Sequence, residues 1–400
     1  MKNFAVINSC NDGSIGKIAR KLHNYLLDHG YNSTFYFARW EEIGDRNAIK
    51  FESNFEVKLH GLMCRLTGIE GVYSNYATNK LIRMLDKQDL DAIYVVNLHG
   101  YYLNAIKFLK YIGKRNLPLV YIMGDEFPAW GKCGYRIDCD HYLNECKKCP
   151  LKKDYPNSWI FDRAHDMFLK KKGAYAILKR VAFLGPEFTI NQTKVSPLLA
   201  DKNLQIIDEC VDVDFYTPRD TTALKQELDI SEDKTVLVCA APMSNPRKGC
   251  KYFIEAARRL EDDNRFVFVH VGYNIPDKSD LPSNYIPIGF LSDQEKLAQY
   301  YSLGDLFVFP SLNDTMPNAC LEAMSAGTPL LCFNISGMPY LAPSNICTLV
   351  EPRNVEQLVE SIVNIKKKSN EVINMCRNYA LKRYDNKVYH QRLIEIAESL

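Results

Sequence analysis

Two acidic residues stand eight positions apart in the stretch PSLNDTMPNACLEAMSAGTP, residues 310–329. Asp314 lies before Pro317, and Glu322 lies after it in an apolar run that predicts a helix. Eight helical residues span about 12 Å, which is the order of the distance from the ribose to the sugar ring of a nucleotide-sugar. The pair therefore suits ribose hydroxyls at one acid and sugar hydroxyls at the other. Taken alone, such a pair is more often explained by the helix dipole, which favours acids near a helix N-terminus.

Adjacent cations mark a second candidate site in AAPMSNPRKGCKYFIEAARRL, residues 240–260. This stretch follows an apolar strand and opens a helix at Lys248, directly after Arg247. Backbone N–H groups, the helix dipole and side-chain charge all attract anions at such a place. The free N–H groups predicted near Asn318 act in the same way. The two helix starts together predict a diphosphate site that needs no catalytic metal.

Four cysteines fall within seventeen residues, at Cys133, Cys139, Cys146 and Cys149. In a reducing compartment such density is more typical of a metal site than of disulfides. Four thiolates suit tetrahedral zinc, and the final C-x-x-C provides two ligands close together. The cluster therefore predicts a structural zinc site that staples a long loop. An iron–sulfur cluster, which the Cys149–Pro150 ending also resembles, and free thiols are the alternatives.

Short apolar strands alternate with amphipathic helices, and these elements must position the candidate residues. The βαβ rhythm predicts parallel sheets with helices on both faces. The predicted strands cover residues 4–8, 34–38, 92–98, 119–123, 180–184, 204–207, 235–240, 266–271, 306–309 and 329–333. The predicted helices cover residues 16–29, 75–85, 103–114, 248–259, 293–301 and 318–326, and the last 45 residues are also helical.

A chain of 400 residues is too long for one ordinary core and predicts two domains. The polar, Pro-containing segment 208–220 is interpreted as a linker. The prediction is a Rossmann-like domain at 1–207, a second one at 221–384, and a C-terminal helix at 385–400 that packs back on the first. Open parallel sheets bind ligands at the carboxyl ends of their strands. Two α/β domains that face each other across a cleft therefore place the ligand between them.

Composition and charge limit the classes of protein to which this sequence can belong. Hydrophobic residues make up 46% and charged residues 24% of the chain, which is ordinary for a globular protein. No apolar run approaches the roughly 20 residues of a membrane span, and the N-terminus lacks a signal-peptide pattern, so a cytoplasmic location is expected. Residues 1–200 carry 29 Lys and Arg against 20 Asp and Glu, a net +9. This half is interpreted either as solvated surface or as a partner for an anionic membrane; no nucleic-acid module accompanies the charge.

The acidic stretch resembles the E-x7-E region of retaining glycosyltransferases of family four, which have the GT-B fold. The family pattern E-x-x-P-N-x-x-x-E-A-M-A-x-G-x-P is matched at seven positions, with Asp314 in place of the first Glu. The matching residues are Pro317, Asn318, Glu322, Ala323, Met324, Gly327 and Pro329. The resemblance implies that Asp314 orients the donor sugar, that Glu322 holds the ribose, and that Met316, Pro317 and Asn318 line the same site.

The same resemblance extends to the rest of the second half. Lys248 matches the Lys of the family's G-R-L-x-x-x-K-G motif, which binds the diphosphate. Met243 occupies the Arg position of that motif, and Arg247 is expected to supply the missing charge. The loop of Gly289, Phe290 and Leu291 occupies the position that contacts the nucleobase in the family.

The first half resembles a bacterial polysaccharide branch of the family less strongly. Gly13 and Gly16 lie in the first strand-to-helix turn, where the family brings donor diphosphate and acceptor close to the backbone. His99 follows a predicted strand within a segment similar to the branch's H-N-x-H-G-Y-Y-L-N. Asp125 matches an Asp of the branch, whereas Gly124 stands where the branch has His. The resemblance implies that His99 or Asp125 lines the reaction centre; weakened catalysis is the alternative.

The resemblance predicts a glycosyltransferase that moves a sugar, with retention, from a UDP- or GDP-sugar to a glycan or lipid-linked oligosaccharide acceptor. The expected process is cell-surface polysaccharide biosynthesis, with peripheral association at the inner face of the cytoplasmic membrane. A nucleotide-sugar epimerase of the same architecture is one alternative. A non-catalytic nucleotide-sugar-binding subunit is the other.

Overall fold

A computed structural model of the chain describes residues 1–39, 44, 46–134 and 139–400, with the side chains of Ser14 and Lys278 left undescribed. It divides the chain into two compact units. Unit 1 comprises Met1–Ile207 and His390–Leu400, and unit 2 comprises Asp208–Tyr389.

Unit 1 contains a parallel sheet of seven strands in the order β3-β2-β1-β4-β5-β6-β7. The central strands are buried along their whole length, because helices cover both faces of such a sheet. The strands are β1 (Asn3–Ile7), β2 (Asn32–Phe37), β3 (Ala48–Lys50), β4 (Ala92–Val95), β5 (Leu119–Ile122), β6 (Val181–Gly185) and β7 (Asn203–Ile206).

The helices of unit 1 lie between these strands along the chain. They are α1 (Gly13–Asp28), α2 (Asn54–Thr67), α3 (Asn75–Leu85), α4 (Ala105–Arg115), α5 (Ala164–Tyr175) and α6 (Glu187–Thr193). In α4 the buried residues Ala105, Phe108, Leu109 and Ile112 recur at helical spacing, so one apolar stripe faces the core. Short 3-10 turns at Phe127–Ala129 and His141–Asn144 carry the chain between β5 and α5.

Unit 2 contains a parallel sheet of six strands in the order β10-β9-β8-β11-β12-β13. Its strands are β8 (Thr235–Ala240), β9 (Phe266–Val271), β10 (Tyr285–Gly289), β11 (Leu306–Phe309), β12 (Leu330–Phe333) and β13 (Cys347–Val350). Its helices are α7 (Thr222–Glu227), α8 (Cys250–Arg259), α9 (Gln294–Leu303), α10 (Asn318–Ser325), α11 (Val355–Val363) and α12 (Asn370–Arg383). The predicted fold class of two Rossmann-like parallel-sheet domains is confirmed.

The segment predicted to be a linker belongs to unit 2. Val211, Val213 and Tyr216 are buried in that unit's apolar core, and Val211 forms a parallel bridge with Asp385. The last helix, α13 (Asn386–Ser399), begins in unit 2, while its residues from His390 onward are part of unit 1.

Within unit 1, the last part of α13 contacts β4 and the N-terminal residues. The hydroxyl of Tyr94 on β4 donates to the carbonyl of Leu393 at 3.3 Å, and Lys2 pairs with Glu398 at 2.5 Å. None of the described helices is both long enough and apolar enough to cross a lipid bilayer.

Candidate functional site

The predicted phosphate-binding residues lie at the carboxyl end of β8, between that strand and α8. A 3-10 turn at Pro246–Lys248 carries both cations, and the side chain of Asn245 caps it by accepting the N–H of Arg247 at 3.2 Å. Gly249 then takes a left-handed conformation and α8 begins without a side-chain cap. The first N–H groups of α8 and the two cations therefore belong to one short segment, as the sequence predicts.

Asp314 is the common partner of both cations. The ammonium of Lys248 lies 3.1 and 3.0 Å from the two carboxylate oxygens of Asp314. Arg247 donates to Asp314 at 3.1 Å and also contacts the carbonyl oxygen of Asn313. Ser311 donates a further hydrogen bond to Asp314 at 2.6 Å. Because its oxygens accept from three side chains, Asp314 is fixed in place and holds the two cations beside each other.

Gly249 permits the close approach of this turn to the end of β11. Its φ is +68°, and a Cβ atom there would lie 1.8 Å from the carbonyl oxygen of Pro310. The backbone N–H of Leu312 donates to the carbonyl of Arg247 at 2.8 Å and ties the two loops together. Only glycine satisfies both the conformation and the space, so this position is a requirement of the candidate site's architecture.

Replacing Gly249 with alanine is expected to destabilise the protein by roughly 3 kcal/mol or more, because backbone strain and a backbone clash add. Gly289→Ala is the matched control: φ is +76° there, but no atom lies within 4 Å of the added Cβ. The control should lose only about 1 kcal/mol from the strained conformation. Chemical denaturation measures both, and equal losses would contradict the proposed clash.

Glu322 lies on α10, near the helix start that the sequence predicts at Pro317. Its carboxylate accepts a hydrogen bond from the hydroxyl of Tyr301 at 2.7 Å. Pro317 is the N-cap of α10, Met316 beneath it is buried, and Asn318 is half-buried in the first turn. Glu322 is thus held by α9, whereas Asp314 holds the cation pair.

The loop predicted to contact a nucleobase, Gly289 to Leu291, begins at the last residue of β10. Gly289 accepts the N–H of Gly272 at 2.9 Å, which joins this loop to the end of β9. Phe290 stacks on Tyr273 with ring centroids 4.0 Å apart and planes 12° from parallel. Both rings are about half exposed, whereas Leu291 packs against the core of unit 2. The loop therefore presents a flat aromatic surface to solvent.

In unit 1 the structure brings His99 and Asp125 together. They follow the neighbouring parallel strands β4 and β5, whose carboxyl ends lie side by side. The Nε2 atom of His99 lies 2.5 Å from Oδ2 of Asp125, and its Nδ1 atom lies 3.3 Å from the hydroxyl of Tyr155. Burial by itself lowers the pKa of His99, but the carboxylates of Asp125 and Glu70 together raise it above its ordinary value, with Asp125 contributing more. The pair therefore favours the imidazolium form of His99 more than solvent does.

Glu70 supports this pair and was not predicted from the sequence. Its buried carboxylate accepts the backbone N–H groups of Gly100 at 2.8 Å and Tyr101 at 3.3 Å. Both of those residues have positive φ, so the carboxylate stabilises an unusual backbone directly after His99. Burial raises the pKa of Glu70. The Glu70-Gly71 dipeptide lacks a sequence signal for this role, because the contact depends on where α2 ends relative to β4.

A buried lysine contacts the segment that follows β5. Lys171 on α5 donates to the carbonyls of Phe127 and Trp130 at 2.5 and 2.8 Å. Its ammonium also lies 3.3 Å from the centroid of the Phe127 ring. Burial lowers the pKa of Lys171 to about 7. Lys171 thus anchors the segment that bears Asp125.

The first turn of unit 1 contains both predicted glycines. Gly13, with φ of 73°, begins α1, which starts three residues earlier than predicted. A Cβ atom on Gly16 would lie 2.7 Å from the backbone carbon of Asn11, so α1 packs directly on the turn after β1. Gly16 is therefore explained by this packing, and its predicted ligand role stays a prediction.

The four clustered cysteines line one small cavity of about 20 Å³ in unit 1, beside Trp130 and His141. This volume is enough for one water-sized occupant. Hydrogen bonding with the Cys133 thiol lowers the pKa of Cys149 to about 7. No three of the four sulfurs, all within described residues, lie within 4.8 Å of one another. The donor set and the cavity suit one metal ion, and the thiols would have to move closer to reach tetrahedral geometry.

Unit 2 has a different trio of ligand-type residues within the described part of the chain. Ligand atoms of Cys239, Cys250 and His270 lie within 4.8 Å of one another, and all three residues are buried. However, Nε2 of His270 lies 2.8 Å from the carbonyl oxygen of Ala241, so this nitrogen must donate a proton. Nδ1 accepts from the hydroxyl of Tyr285 at 2.6 Å. Because neither nitrogen keeps a free lone pair, we interpret the trio as packed core.

Known proteins support this description of the fold and of the second unit. Residues 234–368 match the family model "Glycosyl transferases group 1". The chain is 22% identical over 377 residues to WcaC of Escherichia coli (strain K12), named as a glycosyl transferase of colanic acid biosynthesis, with 87% of each chain covered. It is 27% identical over 211 residues to the E. coli UDP-Gal:alpha-D-GlcNAc-diphosphoundecaprenol alpha-1,3-galactosyltransferase, covering 48% of this chain and 52% of that one.

Solved glycosyltransferase structures match over the whole length. HepE of Anabaena, crystallised in complex with UDP-glucose, superposes with a TM-score of 0.67 at 14% identity and full coverage of both chains. WaaG, a glycosyltransferase involved in lipopolysaccharide biosynthesis, gives a TM-score of 0.67 at 16% identity and 99% coverage of both chains. These likenesses concern the fold, and the family match concerns the unit with the cation pair. Residues 234–368 thus match the glycosyl transferases group 1 family, and the chain is a glycosyltransferase with the GT-B fold.

Proposed function

We propose that this glycosyltransferase moves a sugar, with retention of anomeric configuration, from a UDP- or GDP-sugar to a lipid-linked glycan acceptor in cell-surface polysaccharide biosynthesis. The observation that carries the donor half is the arrangement of Arg247 and Lys248 at the start of α8, both held by Asp314. The acceptor half is supported by the relatives named for colanic acid biosynthesis and for a diphosphoundecaprenol acceptor.

The cation pair suits the departing nucleoside diphosphate. As the glycosidic bond breaks, negative charge develops on the leaving diphosphate, and preorganised cations stabilise it without reorganisation. Lys248 is a compact point charge, whereas Arg247 offers a planar fork of donors. Asp314 orients both and, as the family resemblance implies, is placed to contact sugar hydroxyls. Retention rests on the family resemblance.

His99 and Asp125 form the proposed reaction residues of unit 1. With Nε2 held by Asp125, the Nδ1 N–H of the imidazolium is the remaining donor, and an oxygen of the sugar or of the phosphate would take it in place of the Tyr155 hydroxyl at 3.3 Å. Tyr155 contacts the other ring nitrogen and fixes the orientation of the ring. The acceptor position is proposed beside this pair, at an anionic membrane surface where lipid-linked acceptors reside.

Glu322→Ala is expected to weaken donor binding by ~1.5–3 kcal/mol, because the ribose loses a charged hydrogen-bond acceptor. Isothermal titration with UDP and GDP measures the change. Tyr301→Phe is the matched control: it removes the hydroxyl that binds Glu322 but leaves the carboxylate, so donor affinity should change little. An unaltered dissociation constant in Glu322→Ala would remove this residue from the donor site.

Labelled UDP- and GDP-sugars, incubated with and without a diphospholipid-linked oligosaccharide, test the proposed function. Incorporation of label into the lipid fraction, with retained configuration by NMR, is the expected result. Conversion of the donor sugar without an acceptor would establish an epimerase instead. Donor binding without any turnover would establish a nucleotide-sugar-binding subunit.

We also propose a structural zinc ion bound by Cys133, Cys139, Cys146 and Cys149. Freshly purified protein is expected to contain close to one zinc per chain by elemental analysis, because thiolate coordination couples metal binding to folding of the loop. Cys149→Ser should lose most of the metal and expose the loop to protease. Cys210→Ser, outside the cluster, should keep it. Protein without zinc would contradict the proposal, and iron with acid-labile sulfide would favour an iron–sulfur cluster.

A further inference from the structure

Helix α2 exposes apolar side chains where a surface helix normally carries polar ones. Phe55, Leu59 and Leu62 recur at helical spacing, and their exposed fractions are 74%, 46% and 43%. Its opposite face is buried through His60 and Cys64. The outward stripe is therefore not needed for packing within unit 1. An exposed apolar stripe of this kind is typical of a surface that contacts a membrane or another protein.

Three consecutive exposed apolar residues lie against the C-terminal end of the same helix. Trp159, Ile160 and Phe161 are all more than half exposed. The backbone N–H of Trp159 donates to the carbonyl of Arg65 at 2.7 Å. At Gly68, which ends α2, a Cβ atom would lie 2.3 Å from the carbonyl oxygen of Phe161. The tripeptide is thus fixed beside α2, and we call the six residues Phe55, Leu59, Leu62, Trp159, Ile160 and Phe161 the apolar face.

Basic residues precede and follow the tripeptide of the apolar face in the chain. Residues 147–172 carry seven exposed or partly exposed Lys and Arg, besides the buried Lys171, against three Asp. Lys152 donates to the carbonyl of Ile160 at 2.9 Å, and the guanidinium of Arg163 lies 5.9 Å from the ring centroid of Phe161. Lys58 is exposed on α2 between Phe55 and Leu59. Basic residues beside exposed Trp and Phe are typical of surfaces that bind anionic lipid.

A chain of contacts links α2, which carries half of the apolar face, to the proposed reaction residues of unit 1. The guanidinium of Arg65 on α2 lies 5.5 Å from the ring centroid of Tyr101. The ring of Tyr101 packs edge-on against Tyr155 at 6.1 Å, and Tyr155 contacts His99. A lipid-linked acceptor keeps its hydrocarbon chain in the bilayer while its sugar reacts. The bilayer surface must therefore lie near the residues that receive the acceptor, and the apolar face satisfies this condition.

We propose that the apolar face is the surface by which this glycosyltransferase docks on an anionic lipid bilayer, with Phe55, Trp159 and Phe161 inserted among the lipid headgroups. The proposal rests on the proposed function, since it names the membrane contact of the same acceptor site. Aromatic side chains prefer the membrane interface, and the surrounding Lys and Arg attract anionic headgroups. This charge complementarity favours a bilayer over a second protein, whose apolar contact surfaces lack such a requirement for basic residues at the edge.

Co-sedimentation of the full chain with phosphatidylcholine vesicles, with and without phosphatidylglycerol, tests the docking surface. The wild type should bind the anionic vesicles and release them as salt is raised. The double variant Trp159→Ser/Phe161→Ser should bind the vesicles at least about tenfold less, because it loses two aromatic rings that would be buried in the bilayer. Phe55→Ser/Leu59→Ser should behave in the same way. Val195→Ser, at an exposed apolar residue outside the apolar face, should bind like the wild type.

Tryptophan fluorescence distinguishes insertion of Trp159 into the bilayer from adsorption of the protein on the bilayer surface. Vesicles should shift the emission of the wild type to shorter wavelength, and Trp159→Phe should lose this shift while it keeps vesicle binding. Wild-type binding in both double variants would overturn the proposal. So would self-association of the wild type that either double variant abolishes, because the occupant would then be a second copy of this chain.

Activity assays distinguish failure of the docking surface from failure of the proposed function. The double variants should lose transfer to a lipid-linked acceptor embedded in vesicles, yet keep transfer to a short-chain, water-soluble analogue. If the wild type transfers sugar to neither acceptor, the proposed function fails, and vesicle binding still decides the docking surface. Equal loss with both acceptors, together with normal vesicle binding, would assign these residues to acceptor binding and overturn docking.

Discussion

Lys248→Ala is expected to lower kcat by ~100- to 1,000-fold, while the dissociation constant of the donor changes far less. A single preorganised donor to a developing oxyanion has an effect of this order. The ammonium of Lys248 lies about 3 Å from both oxygens of Asp314. Because the leaving diphosphate gains charge mainly in the transition state, an interaction with that charge raises kcat more than ground-state affinity. Steady-state kinetics with titrated donor separate the two quantities.

A neighbouring cation, on the first turn of α8, provides the matched control. Lys251 is exposed and its ammonium lies 5.0 Å from the ring centroid of Tyr252, so Lys251→Ala should leave kcat unchanged. In Lys248→Ala, Asp314 keeps its bonds from Arg247 and Ser311, and the melting temperature should fall only slightly. A change in KM alone, with normal kcat, would show that Lys248 binds the donor without stabilising the leaving group.

Loss of His99 is expected to lower kcat/KM by roughly 100- to 10,000-fold, the range for a positioned proton donor or acceptor. His99→Ala measures the whole effect, and Asp125→Asn measures the contribution of the charge that orients the ring. His141→Ala serves as a control at a partly exposed histidine near the cysteine cluster. Near-normal activity in His99→Ala would remove the pair from the reaction centre.

The pH profile distinguishes the charged role of His99 from a structural one. The pKa of His99 is raised by Asp125, so the imidazolium is present at low pH and is lost as pH rises through that raised pKa. Activity that needs the imidazolium should therefore fall on the alkaline side, and Asp125→Asn should move that limb to lower pH. The pair also stabilises the fold. This contribution is fully present below about pH 6.5, the pKa of His99 in the unfolded chain, and is lost as the pH rises through the higher pKa of His99 in the folded protein. An alkaline limb at the same pH in Asp125→Asn would contradict this role.

Several elements follow directly from local sequence. The strands predicted at 235–240, 266–271 and 306–309 agree with β8, β9 and β11 at both ends, and the helix predicted at 75–85 agrees with α3. These segments are either mostly apolar or amphipathic, so burial and the local conformational preference of the residues indicate the same structure. Most other predicted elements agree to within a few residues, which is the usual uncertainty of element ends.

Other elements were missed for identifiable reasons. The strands β3, β10 and β13 are short or carry partly exposed residues, so their apolar pattern is weak. Helix α2 was also missed, although Ser53 accepts the N–H of Glu56 at 3.2 Å in the S-x-x-E arrangement of a capping box. The outward apolar stripe of α2 blurs its periodicity, because a helix with apolar residues on two faces lacks a single hydrophobic side.

The sequence alone determined the α/β class, the cation pair at a helix start, the acidic residues around Pro317, and the family that these motifs resemble. Each of these depends on residues close together in the chain. The tertiary structure decided which of these groups meet. Asp314 binds Arg247 and Lys248, more than sixty residues away, because β8 and β11 are neighbours in the sheet. His99 meets Asp125 because β4 and β5 are neighbours too. Strand order arises from packing of the whole core, so local pattern could not predict these contacts.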